Sequence, residues 1–197
     1  MSTIAIERRH TAEDLLTMPD GDRYELVNGE LVERDMGFKS SRIGGRFYRF
    51  LSVYCEDNGL GWVAPADASF QCFPDDPEKV RKPDASFIRA ERMPSDQQPE
   101  GHCRLVPDAA AEVVSPNDTY SDVEIKVDEY LQAGVLLVWV IHPATRSVRV
   151  HRRDGTMSDL REDDELTGEN VIPGFRCRVS DLFADPVPKT SERGTAV

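Results

Sequence analysis

Two short segments of this chain each place a single carboxylate among apolar residues. They are Lys82-Pro83-Asp84-Ala85-Ser86-Phe87-Ile88 and Ala109-Ala110-Ala111-Glu112-Val113-Val114-Ser115. An ionised carboxylate within an apolar strand is costly to desolvate unless it has a partner, and a bound cation is the most effective one. On neighbouring strands, Asp84 and Glu112 could hold a magnesium ion between them, with Lys126 following on an expected helix. The chemistry open to such a set is metal-assisted hydrolysis of a phosphodiester.

Each residue also has an ordinary structural reading. Asp84 follows Pro83, which fixes the backbone where the strand begins, so its carboxylate can be an exposed group at a loop–strand junction. Glu112 has apolar neighbours on both sides and needs protonation, a salt bridge or a metal; a buried pair with an arginine is the plain alternative. Lys126 borders the inward face set by Val123, Val127, Tyr130 and Leu131, and Asp122 stands four residues earlier, the spacing of a surface ion pair. Glu25 alternates with Tyr24 and Leu26, most often a solvated strand position. Lys39, Arg42, Arg46 and Arg49 make a basic stretch, and the arginines form a stripe on one helix face, which can be a solvated face or a track for phosphates.

The elements that must position these groups follow from periodicity. Thr11 caps a short helix, with Asp14 placed to close a capping box. Tyr24 to Glu33 is a hairpin with an Asn28-Gly29 turn, the composition of a two-residue type I′ connection. Ile43, Phe47, Phe50, Leu51 and Tyr54 recur at helical spacing from about 40 to 58, with Gly59 at the C′ position. Three strands are predicted near 61–72, 83–89 and 109–115, then a helix over 118–133 stopped by Gly134. Val135 to Ile141 is continuously apolar, as in a strand covered on both faces. A further strand is predicted over 147–152 and a short β unit over 171–179. This order gives one mixed α/β domain over 11–183, with an N-terminal extension at 1–10 and a disordered tail at 184–197.

Composition narrows the classes. The chain has 197 residues, ordinary globular proportions and a net charge of −12. No apolar run approaches the roughly 20 residues of a membrane span, and no signal pattern opens the chain, which implies a cytoplasmic protein. The four cysteines and four histidines are scattered, without zinc or disulfide spacing. The negative charge weakens an expectation of nucleic-acid binding, but it concentrates in 159–169, remote from the basic stretch.

The chain resembles the putative restriction endonuclease domain family of bacteria (DUF820-like), within the PD-(D/E)XK nuclease superfamily. The resemblance rests on Tyr24-Glu25-Leu26-Val27-Asn28-Gly29-Glu30-Leu31, on Lys82-Pro83-Asp84-Ala85-Ser86-Phe87 and on Ala111-Glu112-Val113-Val114-Ser115-Pro116-Asn117-Asp118. It continues through Lys126-Val127-Asp128-Glu129-Tyr130-Leu131-Gln132-Ala133-Gly134 and Val138-Trp139-Val140-Ile141-His142-Pro143. It implies a restriction-endonuclease-like mixed sheet flanked by helices, with an N-terminal β-hairpin. It further implies a metal-dependent endonuclease acting on DNA, with Asp84 and Glu112 as acidic ligands of Mg²⁺ or Mn²⁺. Glu25 and the Val113 carbonyl would complete the metal site, Lys126 would be the catalytic lysine, and Lys39, Arg42 and Arg46 would hold flanking phosphates. Three positions depart from the pattern: Val114 stands where the superfamily lysine is usual, Ser40 where relatives carry histidine, and His142 where many carry aspartate. A nuclease-fold binding protein without cleavage, and a phosphodiesterase acting on RNA or nucleotides, are the alternatives. The exposed hairpin is a candidate surface for a homodimer.

Overall fold

The structure is a computed structural model, described here for residues 9–34 and 37–185. Apart from 9–10 and 184–185, the expected N-terminal extension and C-terminal tail lie outside the described residues. Helix α1 (Ala12–Thr17) leads to a hairpin of β1 (Tyr24–Val27) and β2 (Glu30–Glu33). Helix α2 (Phe38–Asp57) is followed by β3 (Gly61–Pro65), β4 (Ala85–Arg89) and β5 (Ala109–Val113). Helix α3 (Tyr120–Ala133) crosses to β6 (Leu137–His142), β7 (Ser147–Arg152) and β8 (Met157–Leu160). Strands β9 (Glu165–Thr167) and β10 (Arg176–Arg178) and helix α4 (Val179–Phe183) complete the fold.

Local chemistry explains the boundaries. Thr11 and Asp14 form the expected capping box on α1, and Thr119 with Asp122 forms a second on α3. Asn28 and Gly29 both have positive φ, 53° and 79°, as a type I′ turn requires. Thr119→Ala removes the oxygen that accepts from the Asp122 amide at 3.2 Å. We expect it to cost about 1 kcal/mol in urea denaturation.

Six strands form the central sheet in the order β3-β4-β5-β6-β7-β8. All pairs are antiparallel except β5–β6. Alternation along β5 and β6 assigns each residue to a layer. Ala109, Ala111, Val113, Leu137, Trp139 and Ile141 pack with Ile43, Phe47 and Leu51 of α2. Ala110, Val138 and Val140 pack on the opposite face with Val123, Val127 and Tyr130 of α3. Glu112 shares the Ala110 face by the same period of two, and is therefore aimed at α3.

The structure departs from the sequence-based elements in two places. The strand expected over 61–72 ends at Pro65; beyond it Phe70 makes only isolated bridges to Arg81 and Cys103. Strands β8 and β9 occupy the acidic stretch, where no strand is expected from sequence, because their polar residues carry no apolar alternation. The acidic charge there is matched across strands and turns: Arg149 pairs with Asp159 at 2.8 Å, Arg146 with Glu162 at 2.6 Å and Arg152 with Glu169 at 2.7 Å.

Candidate active site

Asp84 sits where the chain enters β4. Its amide donates to the Ala111 carbonyl at 2.9 Å, and its Oδ2 accepts from the Val113 amide at 2.7 Å. The side chain is thereby locked across to β5, close to Glu112. Arg34, just after the hairpin, reaches Asp84 Oδ1 at 3.4 Å.

Helix α3 supplies the opposite wall. Lys126, Glu129 and Tyr130 lie three and four residues apart and share one flank of the helix. The Lys126 ammonium lies between two carboxylates, 3.3 Å from Glu25 and 3.4 Å from Glu112. The Tyr130 hydroxyl donates to Glu112 Oε1 at 2.8 Å. Glu129 joins Arg81 at 2.7 Å and Lys79 at 2.9 Å. Arg81 in turn reaches Glu25 at 2.9 Å, while the Lys82 amide donates to the other Glu25 oxygen at 2.8 Å. One buried network therefore runs from Lys79 to Tyr130, and it faces a cavity of about 380 Å³.

Burial and charge set the protonation of these groups. Burial, reinforced by the nearby Glu112 charge, pushes Asp84 up to about 7. Burial also raises Glu112, with Glu25 adding to it and Lys126 opposing. Glu25 moves the other way: burial pushes it up, but Lys126, Arg81 and the Lys82 amide together outweigh that and hold it below the ordinary glutamate value. Burial opposes the Lys126 charge, and the Glu112 and Glu25 carboxylates overcome it, so the group stays an ammonium.

The sequence-predicted residues Glu25, Asp84, Glu112, Val113 and Lys126 all line this cavity. Lys39, Arg42 and Arg46 do not. Lys39 donates to the Pro143 carbonyl at 3.3 Å, and Arg42 and Arg46 both donate to the Ala184 carbonyl. Lys126 meets carboxylates across the fold, while Asp122, its expected surface partner, is engaged by Thr119. Five participants are absent from the sequence-based set: Arg34, Lys79, Arg81, Glu129 and Tyr130. Tyr130 is legible there only as an apolar contact, and Arg81 only as a charge in a loop. Among the described residues, no group of three or more His, Cys, Asp or Glu is arranged to hold a metal ion. No described helix is long and apolar enough to cross a membrane.

The fold is similar to a solved structure described as "a putative nuclease belonging to DUF820 from Anabaena variabilis", with a TM-score of 0.73 and 19% sequence identity. The match covers 88% of this chain and 97% of that one. No curated protein matches the chain. A family model, Uma2, described as "Putative restriction endonuclease", matches residues 12–180. That span contains the whole network from Glu25 to Tyr130, and the chain belongs to the Uma2 family.

Proposed function

We propose that this chain is a metal-dependent endonuclease that hydrolyses DNA phosphodiester bonds in the cytoplasm. One observation carries the reading: two buried carboxylates, Asp84 and Glu112, both raised in pKa, share a cavity with a half-buried ammonium. Two carboxylates pushed up by burial and by a neighbouring carboxylate, Glu112 beside Asp84 and Glu25 beside Glu112, are a donor set that a divalent cation relieves. They also suffice for Mg²⁺, which is commonly held by one or two carboxylates with water and phosphate oxygens filling the remaining positions. Asp84 and Glu112 would hold Mg²⁺ or Mn²⁺, with the Val113 carbonyl nearby. When bound, the ion supplies Lewis-acid polarisation of the phosphate and a more acidic water.

The chain's own residues do the rest. The Val113 amide fixes Asp84, and the Tyr130 hydroxyl fixes Glu112. Lys126 is held so that its ammonium can orient a water or stabilise charge on the phosphoryl oxygens. Glu25 has both oxygens engaged, by Arg81, Lys126 and the Lys82 amide, and we assign it to positioning Lys126. Arg34 can exchange Asp84 for a phosphate oxygen as substrate arrives, whereas Arg42 and Arg46 of α2 are engaged by the Ala184 carbonyl and do not line the cavity. A homodimer would bring two such sites to the two strands of a duplex.

Nicking of supercoiled plasmid in Mn²⁺ or Mg²⁺, abolished by EDTA, tests this, together with calorimetric titration of the metal. Nicking in metal only is the expected result. A folded protein that neither nicks nor binds metal overturns the reading. The alternative is nucleic-acid binding without cleavage, favoured by the neutralisation of Lys126 by two carboxylates. It predicts binding that survives both EDTA and Asp84→Ala.

A stability test follows from Asp84. Its pKa rises from the ordinary aspartate value, 3.8, to about 7 on folding. Between these values the folded state holds more protons than the unfolded one, so the contribution of Asp84 to stability falls as pH rises through that window. In EDTA, the stability difference between wild type and Asp84→Asn is expected to shift toward the variant from pH 4 to 7, as read by urea denaturation. A difference that does not change with pH would refute the assignment.

A further inference from the structure

A second cavity, of about 500 Å³, lies beside the carboxylate site, between α1, strands β3 and β4, and the loop over 98–103. Its inner surface is apolar, with Phe70, Ile88 and Met93 all buried. Trp62 forms one wall, and its indole Nε1 donates to the Met93 carbonyl at 2.8 Å, which fixes the ring. The buried Ser86 lines the cavity. So does Lys82, whose ammonium donates to the Gly21 and Asp22 carbonyls at 3.1 and 2.8 Å. The exposed residues around it include three carboxylates, Asp22, Asp67 and Glu100.

This cavity adjoins the candidate active site. Lys82 and Ser86 stand two residues to either side of Asp84 and line the second cavity, whereas Asp84 lines the first. Arg34 marks the seam, donating to the Ala66 carbonyl at 2.9 Å while reaching Asp84 at 3.4 Å. A volume of this size with apolar walls and a few polar groups is that of a small-molecule site. Its aromatic wall suits a planar ring, because a base stacks on an aromatic side chain whatever its sequence. The rim carboxylates repel a phosphate and accept hydrogen bonds, so they favour a ring that carries an amino group and keep the backbone outside, toward Arg34.

We propose that this cavity receives one unpaired, amino-bearing nucleobase of the substrate strand, beside the phosphate presented to Asp84 and Glu112. The inference rests on the phosphodiesterase reading above and narrows its substrate. A base stacked within a duplex cannot enter a pocket, so it must be single-stranded or turned out of the stack, which costs least at mismatches, flaps and single strands. These are the substrates the chain is expected to prefer over intact duplex.

The test begins without cleavage, titrating the full-length protein in EDTA with deoxyadenosine and with thymidine while following tryptophan fluorescence. The chain has two tryptophans, and Trp139 is fully buried, so a change on addition reports Trp62. Deoxyadenosine is expected to bind more tightly than thymidine. Binding should weaken by about tenfold or more in Trp62→Ala, the loss of one base–aromatic stack, followed there by calorimetric titration because that variant lacks the reporter. It should weaken likewise in Ala64→Phe and Ala68→Phe, which narrow the cavity from two sides at partly exposed positions, and should persist in Asp84→Ala. In Mn²⁺, single-stranded and mismatched DNA should be cut faster than duplex, and the filling variants should lose that preference. Nucleoside binding that follows this pattern without any cleavage upholds the pocket and sinks only the hydrolytic reading. Metal-dependent nicking with no nucleoside binding, or with binding unchanged in both folded filling variants, overturns the pocket and leaves the nuclease standing.

Discussion

Lys126→Ala is expected to reduce metal-dependent cleavage by about 100- to 1,000-fold, the usual loss when one preorganised electrostatic contact to a transition state is deleted. The same change should leave metal binding intact or tighten it. Lys126 contributes its charge to Glu25 and Glu112, 3.3 and 3.4 Å away, and an ammonium there competes with a divalent cation for the second of them. Asp84→Ala should behave differently, losing cleavage and metal affinity together, because it removes a ligand. Plasmid nicking rates and calorimetric metal titration on the same preparations separate the two. If Lys126→Ala cuts at the wild-type rate, the ammonium is a structural counter-ion and the assignment of Lys126 fails.

The largest effect on stability is expected at Arg81. Its guanidinium reaches Glu25 at 2.9 Å and Glu129 at 2.7 Å, and Glu25 is only 1% exposed. Arg81→Met leaves Glu25 without its arginine and Glu129 with Lys79 alone, at a cost of about 3–5 kcal/mol, as for other buried pairs broken from one side. Combining it with Glu25→Gln should recover part of that loss, since the uncompensated charge goes as well. A double-mutant cycle in urea yields the coupling directly, and additivity of the two changes would show that Arg81 and Glu25 do not interact. Arg81→Lys is not a conservative control, because one guanidinium here serves two carboxylates from a planar fork.

The legible parts of the molecule are those in which local chemistry and burial agree. Asn28-Gly29 announces its turn, Thr119 and Asp122 their cap, and the apolar run before His142 its doubly covered strand. The carboxylates and the lysine could be named from residue types and motif order. Their partners could not, because pairing is a property of distance and not of sequence spacing. Arg34 reads as an ordinary charge after a hairpin, yet it reaches Asp84 fifty residues further on. Glu25 reads as a solvated strand residue, and becomes buried only because the segment around Val80 pairs with Leu26 beside it. Arg42 and Arg46 show the converse failure. A stripe of like charge looks like a surface for phosphate, but these two guanidinium groups close over the carbonyl of Ala184.

The order of strands in the central sheet is the order in which the ribosome makes them. Each new strand can therefore add to the edge left by the last, and five antiparallel or parallel additions build the sheet without threading. The parallel join, β5 to β6, requires α3 to cross the sheet before β6 can dock. That crossing is also what carries Lys126 and Tyr130 to Glu112. A nascent chain halted before it has Asp84 and Glu112 but neither the ammonium nor the phenol to go with them. The full set of groups that meets at the cavity therefore exists only once α3 has crossed the sheet, although β7 to β10 and α4 are still to be made.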